Sequence, residues 1–189
     1  MSYTDSQQAQ LLSLARKSIA QGLVDGRVLS LDTKNYDVSL RALGCCFVTL
    51  RKSGELRGCI GSLSPTLPLI EDVVGHAFSA AFEDPRFPKL AQGELSLLEI
   101  EISVLSPQVE IAFNSEDELL DQLNPFQDGL SLEDGYRHST FLPSVWDVIP
   151  DKKTFLMKLK QKAGLSPTHW SDTLKAFRYQ TISMHEKLE

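Results

Sequence analysis

The residues best suited to chemistry stand together at Arg57-Gly58-Cys59-Ile60-Gly61. A thiol acts as a nucleophile or metal ligand through its thiolate, and a guanidinium on the same face lowers its pKa. Cys59 is therefore the candidate catalytic residue, as nucleophile or acid/base. Arg57 is the candidate for holding an anionic small molecule, since a guanidinium grips a carboxylate or phosphate bidentately. Glycine inside a strand weakens it and marks a bulge or a close approach by another backbone or a ligand. Gly58 and Gly61 thus join Arg57 as candidate binding positions. A second reading stands beside this one, because free cysteine is among the most buried residue types and Cys59 could be a small core residue. Sequence leaves both open, since a partner histidine is adjacent in space and not in sequence.

Asp84-Pro85-Arg86-Phe87 is the other candidate segment. Asp84 and Arg86 could line the same cleft as Cys59, and the expectation is one concave surface with Asp84 buried in a turn. The structural alternative has Arg86 complementing a helix C-terminus while Asp84 ties down the turn. Among the four histidines, His138 on a hairpin arm is the candidate exposed general base. His76, mid-helix among apolar residues, reads as a hydrogen-bonded core residue; His169 and Trp170 read as surface and packing residues. Cys46 and Cys59 would be diagonal neighbours on one face and could chelate a metal, but two cysteines without a C-x-x-C are a weak zinc signal. No metal and no cofactor is expected. The chain also lacks H-E-x-x-H, a Walker loop, G-x-G-x-x-G and G-x-S-x-G, which removes the readily recognised enzyme classes.

The elements that must position these residues follow from periodicity. Asp5 and Ser6 offer N-caps for a first helix carrying Leu11, Leu12, Ala15, Ile19 and Leu23, with Gly22 and Gly26 as stops. Arg27 to Leu40 is irregular. Leu43–Leu50 and Leu56–Leu63 form a hairpin about Ser53-Gly54. That turn sets Lys52 opposite Glu55, Leu50 opposite Arg57, Val48 opposite Cys59 and Cys46 opposite Gly61. Cys46, Arg57 and Cys59 then share a face. Leu69 to Phe82 is apolar nearly all round and predicts a buried helix, halted by Asp84-Pro85. Leu97 to Leu105 alternates, the pattern of a strand with one buried face. The predicted core includes Val48, Ile60, Val73, Ala77, Phe78, Ile100, Ile102 and Val104.

Downstream, Ser115 caps a helix over Glu116–Leu123, and Leu130–Leu132 and Tyr136–Phe141 flank an Asp134-Gly135 turn. Asp151 caps a helix from Lys152 to Ala163 whose lysines read as a solvated face. Phe177 to Ile182 forms a last strand. The fold class is α+β, a mixed or mainly antiparallel sheet flanked by helices in two unequal, closely packed lobes. The larger lobe spans about 1–110 plus the C-terminal tail, and the smaller about 111–165.

With 25 acidic against 19 basic residues and a net charge of -6, the chain lacks the basic stripe of a nucleic-acid binder. No stretch is long and apolar enough to span a bilayer, and the N-terminus has no signal-peptide pattern. Three cysteines, two of them adjacent, argue against a secreted disulfide framework and for the cytoplasm.

Five motifs in order resemble one family. They are Leu56-Arg57-Gly58-Cys59-Ile60-Gly61, Ala80-Ala81-Phe82-Glu83-Asp84-Pro85-Arg86-Phe87, Glu99 to Pro107, Thr140-Phe141-Leu142-Pro143-Ser144-Val145-Trp146 and Lys162-Ala163-Gly164-Leu165. Together they resemble the AMMECR domain family, whose bacterial members are called AmmeMemoRadiSam system protein A. The resemblance covers almost the whole chain. It implies an α+β fold of two unequal lobes and no established biochemical activity. It also implies an association with a Memo-type protein and a radical SAM protein. Tyr136-Arg137-His138-Ser139 departs from the family pattern by placing a histidine where a small residue is expected. The function expected is an accessory or substrate-binding module with a cleft at Arg57–Gly61. The alternative is an enzyme using Cys59 on an anionic small molecule.

Overall fold

Thr4 opens the chain's first helix, α1 (Asp5–Asp25). Its side chain accepts from the Gln7 amide while the Gln7 side chain reaches back to the Thr4 amide. This reciprocal cap satisfies two orphan donors at once, so the helix starts ahead of the caps expected at Asp5 and Ser6. Gly26, in the left-handed region at φ 71°, ends it. Gly22, expected as a stop, lies inside the helix, where a Cβ would overlap the Phe82 ring. The computed structural model describes residues Ser2–Glu186.

After a 3-10 turn at Thr33–Asn35 come α2 (Val38–Arg41), β1 (Leu43–Gly44), β2 (Cys46–Lys52), β3 (Glu55–Gly61) and β4 (Leu67–Pro68). Helix α3 (Leu69–Phe82) and strand β5 (Leu98–Leu105) complete this run, separated by a 3-10 segment at Gln92–Leu97. Then follow β6 (Val109–Ile111), α4 (Glu116–Gln122), β7 (Gly129–Asp134) and β8 (Arg137–Phe141). Last are α5 (Lys152–Lys162), β9 (Lys175–Tyr179) and β10 (Thr181–His185). The fold is α+β, and β1–β4, β2–β3, β2–β5, β6–β9, β7–β8 and β7–β9 pair antiparallel.

The chain divides into two compact units. One runs to Leu105 and takes in the segment from Ile182; the other is Ser106–Thr181. The expected last strand is thus two strands in two different sheets. Gln180 separates them, its amide donating to Ser106 Oγ at 2.9 Å and its carbonyl accepting from the Ser106 amide at 2.8 Å.

In the first unit the sheet order is β10-β5-β2-β3. Cys46, Val48 and Leu50 lie opposite Val104, Ile102 and Ile100, and all six are buried. Helix α3 packs on β2 and β3, and α1 on α3 and β5. Every residue of the predicted core belongs to this cluster or packs against it except Phe78, which is buried outside it.

The second unit has sheet order β6-β9-β7-β8 and its own core, centred on Trp146 stacked over Phe155 at 3.6 Å. Trp146 Nε1 donates to the Asp128 carbonyl at 2.7 Å, so the indole is buried without an orphan donor. The β7–β8 turn sits one residue later than expected. Asp134 pairs with Arg137, leaving Gly135 (φ 62°) and Tyr136 as the turn, which frees the Asp134 side chain to accept from Ser171 and Thr173. The lysine face of α5 is not all solvated either. Lys160 is fully buried, paired with Glu116 at 2.5 Å, and Lys152 donates to the Leu120 carbonyl.

Candidate functional site

The β2–β3 hairpin turns on Ser53 (φ 52°) and Gly54 (φ 80°). Two consecutive left-handed residues are what a two-residue hairpin turn requires. Next to the turn the register is the expected one, with Lys52 opposite Glu55. It then shifts. Arg51 pairs with Leu56 but Leu50 pairs with Gly58, so Arg57 is the extra residue of a β-bulge.

That one residue moves every partner beyond it. Cys59 lies opposite Thr49 and Gly61 opposite Phe47, where Val48 and Cys46 were expected. Cys46 and Cys59 therefore point to opposite faces of the sheet, and the diagonal pair expected between them does not form. The cause is visible at Gly58, where a Cβ would overlap the Ala80 carbonyl oxygen at the end of α3. Gly58 has to face the helix, and the bulge is what turns it there. At Gly61 a Cβ would overlap the Phe47 ring. Both glycines make room for the protein's own atoms.

Cys59 is half-buried and held at three points. Its amide donates to Asp84 Oδ2 at 2.9 Å, its sulfur accepts from the Thr49 hydroxyl at 3.4 Å, and its carbonyl accepts from Arg86 Nη2 at 3.1 Å. Asp84, in the turn after α3, has a side chain only 1% exposed. Its Oδ1 accepts from the Arg86 amide at 3.1 Å and from Arg86 Nε at 2.9 Å, and its Oδ2 from Arg86 Nη2 at 2.6 Å. Hydrogen bonding from Arg86, outweighing burial, holds the Asp84 carboxyl well below the usual carboxylate range. Arg86 is correspondingly raised, chiefly by Asp84. Its side chain stays 54% exposed. The structure thus brings Cys59, Asp84 and Arg86 together.

Arg57 is engaged elsewhere. Its Nε and Nη2 grip both oxygens of Glu94 at 3.1 and 3.0 Å, and Lys52 adds a third contact to Glu94 at 2.8 Å. Glu94 sits in the 3-10 segment before β5 and also accepts from the Ala91 amide. Hydrogen bonds from Arg57 and Lys52 hold its carboxyl well below the ordinary range. Arg57 Nη1 is buried with no hydrogen-bond partner among the described residues. Glu94 was not singled out from sequence, because a partner 37 residues away carries no local signal.

His138 lies in the second unit, exposed, opposite Glu133 on the β7–β8 hairpin. Among the described residues, the hydrogen bonds of Cys59 reach no histidine. His76 is the hydrogen-bonded histidine expected from its apolar helix, with Nδ1 3.1 Å from Asp72 Oδ2. Asp72 Oδ2 also accepts from the Cys46 amide at 2.9 Å, and Oδ1 from the Ser62 hydroxyl at 3.2 Å. Sequence reading passed over Asp72, although Asp72 and His76 at i and i+4 face the same way on a helix.

The AMMECR1 family model matches residues 12–184, and the chain belongs to that family. A protein of Methanothermobacter thermautotrophicus is 36% identical over 182 residues, covering 93% of this chain and 92% of the relative. A protein of Methanocaldococcus jannaschii is 38% identical over 149 residues, covering 75% and 72%. The crystal structure of an uncharacterized protein from Pyrococcus horikoshii superposes with a TM-score of 0.90 at 31% identity. It covers 97% of this chain and 93% of that one. Among the described residues, no helix is long and apolar enough to cross a membrane.

Proposed function

We propose that this chain is a binding module for a small anionic ligand, received at the Arg86 guanidinium beside Cys59. One observation carries the reading: Arg86 is fixed by a buried carboxylate through Nε and Nη2, yet half of its side chain faces solvent. A guanidinium fixed in advance loses little rotamer freedom on binding, so its outer edge is ready for a carboxylate or phosphate. The three free thiols, Cys45, Cys46 and Cys59, suit a reducing cytoplasm. The resemblance to AmmeMemoRadiSam system proteins supports a pathway shared with Memo-type and radical SAM proteins, and co-purification from the native host tests it directly.

Inorganic phosphate and malonate, titrated at constant ionic strength, test the ligand class. Either anion should raise the melting temperature of the wild-type protein, and Arg86→Gln should remove that rise. An equal rise in both proteins, or none in the wild type, would sink the proposal. An enzyme using Cys59 is the second reading, favoured by the Thr49 hydroxyl donating to its sulfur as it would to a thiolate. That reading requires Cys59 to be alkylated faster than a free thiol and to be protected by the same anions.

A further inference from the structure

On the helix-facing side of the same sheet, three potential metal ligands converge. Asp72 and His76 stand one turn apart on α3, and Cys46 begins β2 directly beneath them. The Cys46 sulfur, a carboxylate oxygen of Asp72 and a ring nitrogen of His76 all lie within 4.8 Å of one another. We propose that Cys46, Asp72 and His76 bind one zinc-class divalent cation.

Geometry comes first. Zinc bonds of about 2.0–2.1 Å to nitrogen and oxygen and about 2.3 Å to sulfur place neighbouring ligand atoms roughly 3.3–3.6 Å apart in a tetrahedron. The Nδ1 to Oδ2 separation of 3.1 Å is already close to such an edge. The Cys46 sulfur, within 4.8 Å of both, is the ligand atom that has to move onto the same centre. The ligands come from a strand and a helix packed on each other, so their backbones are fixed before any ion arrives.

The outer contacts are those of a metal carboxylate. The Ser62 hydroxyl donates to Asp72 Oδ1 and the Cys46 amide to Oδ2, which orients the carboxylate from outside. Thiolate with imidazole favours zinc over magnesium or calcium, which take all-oxygen shells.

Charge balance points the same way. Cys46 is fully buried and Asp72 is 4% exposed. A divalent cation would neutralise the carboxylate and the thiolate together, releasing the thiol proton to solvent on binding. Cys46, Asp72 and His76 supply three protein ligands. The His76 side chain is 19% exposed, so a fourth position on its side can take water or another small ligand. Three protein ligands plus an open position is the pattern of a reactive zinc site; structural ones are closed by four.

Cobalt(II) is the direct probe, applied to the full chain after dialysis against a chelator. One equivalent should give a thiolate-to-cobalt charge-transfer band and the visible bands of a four-coordinate ion. Zinc should then displace the cobalt one for one. Cys46→Ala should abolish the charge-transfer band. His76→Asn, at a partly exposed helix position, should weaken binding by about 100-fold or more while keeping the wild-type circular dichroism. If Cys46→Ala does not fold, the His76→Asn affinity decides alone. Absence of the band at stoichiometric cobalt would show a hydrogen-bonded hub with no metal role. A band kept in Cys46→Ala and lost in Cys59→Ser would put the ion on the opposite face. Either result overturns the assignment.

Discussion

Asp72 and Asp84 do the same thing at opposite ends of α3, and they differ in what they leave over. Each carboxylate accepts the amide of a hairpin cysteine at 2.9 Å, Cys46 for Asp72 and Cys59 for Asp84. Each also holds one basic side chain, His76 or Arg86. Asp72 lies in the first turn of the helix, where a negative charge is favoured, and Arg86 follows the last turn, where a positive one is. At Asp72 the basic partner can be neutral and a buried thiol stands alongside, so the surplus is lone pairs. At Asp84 the partner is always charged and half-exposed, so the surplus is positive charge. On the two proposals, one end takes a cation and the other an anion. A one-residue bulge at Arg57 keeps the two cysteines on opposite faces and the two sites apart.

Thiol chemistry gives the widest separation between the two ends. Cys45 and Cys46 are buried, and the Cys45 thiol is pushed up to about 11 by burial and Asp72. Both react only through opening of the fold, whereas Cys59 is half-buried at the sheet's other face. Iodoacetamide should therefore modify Cys59 in the native protein at least about a thousandfold faster than the other two, a ratio set by the opening free energy. Mass spectrometry of timed digests measures the ratio. Comparable labelling of Cys46 and Cys59 would erase the distinction between the faces.

Gly58→Ala attacks the bulge that keeps the faces apart. Its Cβ would run into the Ala80 carbonyl, a backbone atom that cannot swing aside. The strand must leave the helix or the bulge must be lost. The expected cost is at the top of the overpacking range, about 3 kcal/mol or more, read from denaturant unfolding. A wild-type midpoint in this variant would mean the close approach does not set the register.

Asp84→Asn should cost less, about 2 kcal/mol. It removes a buried acceptor's charge, but the half-exposed Arg86 recovers water. The pH dependence has a definite sign. The folded-state pKa of Asp84 is depressed, so its contribution is complete above the unfolded carboxyl value near ~4. It is lost as pH falls below that, where the unfolded chain binds more protons. Glu94, depressed by Arg57 and Lys52, acts on the same acid limb. Stability measured from neutral pH down to pH 3 should therefore fall less steeply in Asp84→Asn than in the wild type. Parallel curves would show that Asp84 titrates normally.

How much of this was legible depends on whether the cause was local. Helix α3 could be read from its apolar run and the prolines on either side, and β5 from strict alternation. Asp84 and Arg86 stood out because the turn that joins them lies within three residues. The bulge could not be read, because its cause is the seat of Gly58 on Ala80, 22 residues further along the chain. Glu94 was missed for the same reason. The break at Gln180 was missed because its determinant is Ser106, 74 residues earlier in the chain. Asp72 is the exception, since its i, i+4 spacing to His76 was in plain sight. An apolar helix invited a packing explanation, and the spacing went unused.

The smallest expected effect has the opposite sign and tests whether the Asp72 end is built for rigidity. Gly75 sits between Asp72 and His76 in the interior of α3, and nothing lies within 4 Å of where its Cβ would be. Its φ is negative, as inside any α-helix, so alanine fits the backbone without strain. Glycine within a helix costs about 0.5–1 kcal/mol relative to alanine, through the freedom it gives the unfolded chain. Gly75→Ala should therefore stabilise the fold by about that amount, in thermal and denaturant unfolding alike. It also stiffens the one turn that sets the distance between the two α3 ligands. If the Cys46, Asp72 and His76 arrangement is already at its binding distance, cobalt affinity should rise or hold in this variant. A variant that gains stability but binds cobalt more weakly would mean the turn has to flex for the ligands to close.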